Sequence, residues 1–201
     1  MSELATYIQL GFRHIVNAEA LDHILFLLAL AAIYRVRDWR ESLWVVTAFT
    51  VGHSITLALA ATGVLAFPMR WIEFLIPATI LATSAENLIA YARETAPRPR
   101  RYRAIFAGLF GLIHGAGFAT YLQSLFLDRI ALPLFGFNVG IEMGQIVVLL
   151  TAGAAFTALD ALVRRTGSPR SELFPLRLRV IGVSAVVALF AVRMMYQRNP
   201  F

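Results

Sequence analysis

The chain has 201 residues, of which 59% are hydrophobic and 15% charged, and its mean hydropathy is +0.69. Soluble domains carry about 25% charged residues, so this composition excludes a soluble globular domain and assigns most of the chain to a bilayer. The net charge of +6 does not signal nucleic acid, because every basic residue is Arg and most sit in short loops between apolar runs.

Hydropathy predicts one all-α integral membrane domain over residues 1–201, a bundle of six spans at 12–34, 43–65, 71–92, 104–126, 134–163 and 178–196. The fifth is long enough to tilt or to extend past the bilayer. The loops after spans one, three and five, with their flanks, carry thirteen of the eighteen Arg. By the positive-inside rule these loops are cytoplasmic and both termini lie outside. Residues 97–101, alternating Pro and Arg, read as a stiff cytoplasmic connector. The N-terminus has neither a basic n-region nor a small-residue cleavage site, so no removable signal peptide is expected. Without Cys, any metal site must use His, carboxylate or amide groups.

The first span places Asp22-His23 inside an apolar run. A carboxylate at that depth costs roughly 3 kcal/mol on the lenient insertion scale, so a partner, an ion or a water-filled cavity must compensate. His53 in span two and His114 in span four sit, like His23, within a residue or two of the span centre. At about 1.5 Å per residue the three share a level near the midplane, which unrelated packing histidines would not do. In span two, Thr47, Thr50, His53, Ser54 and Leu57 follow helical spacing; the Thr hydroxyls are expected to bond their own backbone, leaving His53 and Ser54 for the site.

Span three carries Thr79, Thr83, Glu86 and Asn87 on one face, below Pro77, with Glu86 toward the cytoplasmic half as a relay for departing ions. Glu73, near the outer end, is expected to snorkel. Glycines at 108, 111, 115 and 117 surround His114 and permit close helix approach. In span five Asn138, Glu142 and Gln145 form one polar stripe, and Gly136, Gly140 and Gly144 a packing stripe beside it. Span six, with neither His nor acid, reads as a structural wall. Gly11-Phe12-Arg13-His14 resembles Gly111-Leu112-Ile113-His114, and Phe49 to Ser54 resembles Phe137 to Glu142. Because spans one to three and four to six enter from opposite sides, these matches suggest a 3+3 inverted repeat.

The expected metal ligands are Asp22, His23, His53, His114 and Glu142, with Ser54, Asn138 and Gln145 orienting them and Glu86 on the exit path. Imidazole with carboxylate suits Ni, Co or Zn without choosing among them. Two functions fit: a permease for a divalent metal, or an intramembrane zinc-dependent hydrolase acting on a lipid or membrane-embedded substrate, with Glu142 or Glu86 as general base. A third reading makes the polar groups helix glue in an assembly partner.

His14-Ile15, Leu21-Asp22-His23-Ile24-Leu25-Phe26-Leu27-Leu28 and residues 47–57, 111–119 and 137–145 together resemble the second branch of the HupE/UreJ family, hydrogenase and urease accessory membrane proteins. The resemblance implies a nickel/cobalt permease of a bacterial inner membrane, with the metal ion as substrate, the bilayer as surroundings and no nucleic acid; a homo-oligomer stays open. It also implies a His-x5-Asp-His motif in the first helix, whose end Asp22 and His23 match. Seven residues separate His14 from Asp22 here, which on a regular helix sets His14 about 80° from Asp22 and opposite His23. Either the helix is irregular there, or His14 is not a direct ligand and Glu19, one turn before His23, substitutes.

Overall fold

The computed structural model describes residues 2–17, 20–64, 68–92, 100–125, 130–165 and 174–200, without the side chains of 92, 100 and 119–125. The fold is all-helical there: α1 (Glu3–Val16), α2 (Leu21–Ala31), α3 (Trp39–Ala61), α4 (Met69–Ala92), α5 (Arg100–Leu125), α6 (Ala131–Arg165) and α7 (Phe174–Gln197), with a short 3-10 turn Val36–Asp38 before α3. Glu19 and residues 97–99 of the Pro/Arg connector lie outside the described residues.

Among the described residues, four helices are long and apolar enough to cross a membrane: α3, α4, α6 and α7. The expected first span, 12–34, is not one helix. Its halves are α1 and α2, inclined at 69°, and together they make a fifth candidate. Asn17 leaves α1 in an extended conformation, and α2 restarts at Leu21. The expected fourth span corresponds to α5, which begins with Arg100-Arg101-Tyr102-Arg103 and is not among the four. α6 has 35 residues, about 52 Å at helical rise and far more than the ~30 Å hydrocarbon core, as its predicted length implied.

Chain ends and approaches follow local chemistry. Ser2 accepts the Ala5 N–H at the start of α1. α3 closes with the Gly63 N–H donating to Ala60 and the Val64 N–H to Leu59, and Gly63 takes the positive φ of 71° that this closure needs. α3 packs along α5, α1 along α6 and α4 along α7. The first two pairs meet backbone to backbone: a Cβ at Gly52, Gly111 or Gly115 would collide with the partner helix between α3 and α5, and one at Gly11 or Gly140 would do so between α1 and α6. The packing stripe read at Gly136, Gly140 and Gly144 lies against α1.

α2 is the central piece, only 11 residues long, with His23, Leu25, Phe26, Leu27, Ala29, Leu30 and Ala31 buried. Carbonyls in its last turn and just past its end accept from side chains of other helices. Asn87 of α4 donates to Ala29 O (2.8 Å) and to Ser184 Oγ of α7 (3.3 Å). Arg179 of α7, 4% exposed, donates Nε to Ala32 O (3.0 Å), Nη2 to Tyr34 O (3.0 Å) and Nη1 to Asp160 of α6 (2.7 Å). The structural wall expected of the last span thus includes a buried cation that ties α7 to α6 and to the segment that ends α2.

Candidate metal centre

The break between α1 and α2 decides the site. Because the chain turns there, His14 is not carried to the far side of a continuous helix; its ring centroid lies 4.7 Å from that of His23 and 6.0 Å from that of His53. The helix is irregular there, as the first of the two alternatives for His14 required. His14, His23 and His53 each offer a ring nitrogen such that all three atoms lie within 4.8 Å of one another. His114 adjoins this trio, its ring 5.3 Å from that of His23.

Hydrogen bonds fix two of the tautomers. Asp22 Oδ1 accepts the His23 N–H (2.9 Å) and lies 3.1 Å from His23 Nδ1, so Nδ1 carries the proton and Nε2 presents its lone pair. The Thr79 hydroxyl donates to Ile76 O (2.7 Å), so its oxygen accepts a hydrogen bond from His114 Nε2–H (3.0 Å), leaving His114 Nδ1 bare. Among the described residues, five ring nitrogens are buried without a hydrogen-bond partner: His14 Nε2, His23 Nε2, both nitrogens of His53, and His114 Nδ1. An unsatisfied buried polar atom costs about 1–3 kcal/mol, so a folded chain keeps five together only where something else engages them.

Beside the cluster lies a cavity of about 680 Å³, lined by His14, His23 and His114 and by the charged groups Arg13, Glu73, Asp22 and Arg198. Arg198 Nη1 stands 3.6 Å from Asp22 Oδ2. On the other side is an aromatic layer. Phe26 follows His23 by three residues, while Phe49 and Phe110 precede His53 and His114 by four. Phe26 stacks on Phe49 at 4.8 Å and meets Phe110 edge-on at 6.3 Å. Past this layer, a smaller cavity of about 30 Å³ holds Thr83, Glu86, Asn87 and Arg103.

The remaining expected residues divide. Among the described residues, Asp22, His114 and Glu142 do not join the three nitrogens within 4.8 Å. Glu142 Oε1 accepts from Thr47 (2.9 Å) and Gln145 Oε1 from Thr50 (2.8 Å), so these side chains clamp α6 to α3. Ser54 donates to Thr50 O (2.6 Å). The expected division of labour in α3 holds in part: Thr50 bonds its own backbone at Val46 O (3.2 Å) as well as Gln145, while Ser54 also bonds the backbone and Thr47 reaches another helix. Asn138 Oδ1 is buried without a hydrogen bond, and Glu73 is exposed at the cavity wall. Sequence reasoning missed Thr79 as the partner of His114, Arg198, and the phenylalanines. The last had a legible signal: a Phe one turn from each of three midplane histidines.

Fold and site together define a helical membrane protein with a histidine cluster at the base of a polar cavity. The family model described as HupE / UreJ protein matches residues 1–197, and the chain belongs to that family. Membership points to a nickel/cobalt accessory or permease-like membrane protein, and the histidine cluster is compatible with this. No curated protein and no solved structure matches the chain.

Proposed function

We propose that this protein is a permease for a divalent transition metal, nickel or cobalt, which it binds in the bundle core and passes across a bacterial inner membrane. The observation that carries this reading is the convergence of partnerless, buried ring nitrogens from α1, α2, α3 and α5 beside a polar cavity. His14, His23 and His53 would take the ion first, and His114 Nδ1 is a fourth nitrogen donor in contact with them. Asp22 supplies negative charge next to the site and holds His23 in the binding tautomer.

The surroundings favour transport over hydrolysis. A zinc hydrolase would use Glu142 or Glu86 as its general base at the cluster. Glu142 is bonded to Thr47, Glu86 lines a separate cavity, and Asp22 Oδ1 is engaged by His23. A carrier needs a site open to one side and sealed from the other. The 680 Å³ cavity is the open side, and the Phe26–Phe49–Phe110 layer is the seal, with Glu86 beyond it to receive the ion. Under the positive-inside assignment, with six spans and both termini outside, the open cavity faces the periplasm.

An inverted repeat is supported by the helix contacts. A Cβ at Gly11 would strike Phe137 O and Ile141 N, and one at Gly111 would strike Phe49 O and His53 N. One at Gly52 would meet Gly108 O and Leu112 N, and one at Gly140 would meet Ile8 O and Phe12 N. These are equivalent positions under the sequence match of α1 with α5 and α3 with α6, as a two-fold related pair of three-span units requires.

The test is metal uptake into proteoliposomes together with calorimetric nickel and cobalt binding. His53→Ala and His114→Ala should each abolish uptake while the protein still inserts and folds. Wild-type uptake by both variants would refute the site, and stoichiometric binding without uptake would refute the permease.

A further inference from the structure

Far from the histidines, two adjoining cavities at the Arg-rich end of the bundle share Arg35, Val36, Thr157 and Arg179 in their walls. One, about 290 Å³, is basic: among the described residues, Arg35, Arg164 and Arg179 line it against one carboxylate, Asp160. Arg179 already holds that carboxylate at 2.7 Å, and Asp38, three residues after Arg35, accepts the Arg35 backbone N–H at 3.1 Å and lies 3.7 Å from Arg37. The other, about 510 Å³, is an apolar groove walled by Leu43 of α3 and Ile146, Leu149, Leu150 and Gly153 of α6, with Trp39 and Ser42 near its charged end. Trp39 is 55% exposed, in keeping with an aromatic at the membrane–water boundary. From Arg164 back to Ile146 is about 27 Å along α6, enough to accommodate one phospholipid of a leaflet roughly 20–22 Å deep.

We propose that these cavities form a specific site for one anionic phospholipid, its phosphate held by Arg35 and Arg164 and one acyl chain laid in the groove along α6. Shape and charge change together along the surface, from a cationic head recess to an apolar trough, which is the pattern an anionic amphiphile matches and a neutral one matches only in part. Basic recesses between helices at the cytoplasmic face are where such headgroups bind. Neither part belongs to the metal path, so the site stands whether or not the permease reading does.

Native mass spectrometry of the full-length protein, released from mixed micelles of phosphatidylglycerol and phosphatidylcholine with identical chains, tests this. The wild type should retain one phosphatidylglycerol in preference to phosphatidylcholine. Arg35→Gln and Arg164→Gln should each lower that preference about fivefold. At Gly153 an added Cβ would meet nothing within 4 Å, so Gly153→Leu should fold normally yet fill the trough and release both lipids. Equal retention of the two lipids by the wild type, or undiminished phosphatidylglycerol on Gly153→Leu, would overturn the proposal. So would a lipid-free dimer that Gly153→Leu abolishes, because the groove would then be an interface between copies.

Discussion

Asp22 serves two partners with one carboxylate, and both line the cavity beside the histidine cluster. Oδ1 fixes the proton of His23, and Oδ2 faces Arg198 at the cavity wall. The sequence marked Asp22 as a ligand because its depth demanded compensation; the structure supplies that compensation through His23 and Arg198. Groups that orient a metal-binding imidazole are worth about 10- to 100-fold in affinity. Asp22→Asn should therefore weaken nickel binding by about that factor, by calorimetry, without unfolding the protein. Thr79 makes the corresponding contact to His114 Nε2. Thr79→Val should lower affinity and Thr79→Ser restore it, because only the hydroxyl holds the tautomer. Among the four histidines, three could be placed at one level by counting residues. His14 could not, because its position depends on where a helix stops.

At the scale of elements, glycine spacing sets how far apart the helices stand, and through that where the imidazoles fall. Gly111 and Gly115 of α5 lie against the backbone at Phe49 and His53, so α3 and α5 meet where the site is built. Gly111→Leu should separate the pair, lower the unfolding midpoint and remove nickel binding together. By contrast, a Cβ at Gly182 meets nothing within 4 Å, so Gly182→Ala should raise stability by about 0.5–1 kcal/mol in the same melt. The aromatic layer is a second element-scale device. Phe49, 1% exposed, contacts Phe26, His53 and His114. Phe49→Ala should leave nickel affinity nearly intact while raising downhill metal leak in proteoliposomes. An unchanged leak would show that the seal lies elsewhere.

Across the whole molecule, the short helix α2 is held by other helices rather than by its own length. Eleven residues make few internal hydrogen bonds at their ends, and Arg179, Asp160 and Asn87 complete the accounting from α7, α6 and α4. Removing one member of a buried ion pair strands the other and costs about 3–5 kcal/mol. Arg179→Met should show a loss of that order in denaturant unfolding. Asp160→Asn strands the more deeply buried partner, Arg179, and should show a loss of similar order. As α2 carries both Asp22 and His23, Arg179→Met should also weaken nickel binding, although it lies at the opposite end of the helix.

Composition and period alone determined that the chain is a helical membrane protein, that its loops are basic, and that histidines from separate segments share a depth. These are properties of single segments, readable because burial in lipid restricts each one by itself. The Asn138–Glu142–Gln145 stripe was equally legible as a face, but not its partners, Thr47 and Thr50, because a partner is a property of two helices. Only the tertiary structure decided that the first span is broken, that His14 enters the cluster while Glu142 clamps α3, and that an arginine of the last helix is buried. Each depends on which backbone carbonyls and ring nitrogens are left open once the helices pack, and that is fixed by distances between segments which no spacing within one segment encodes.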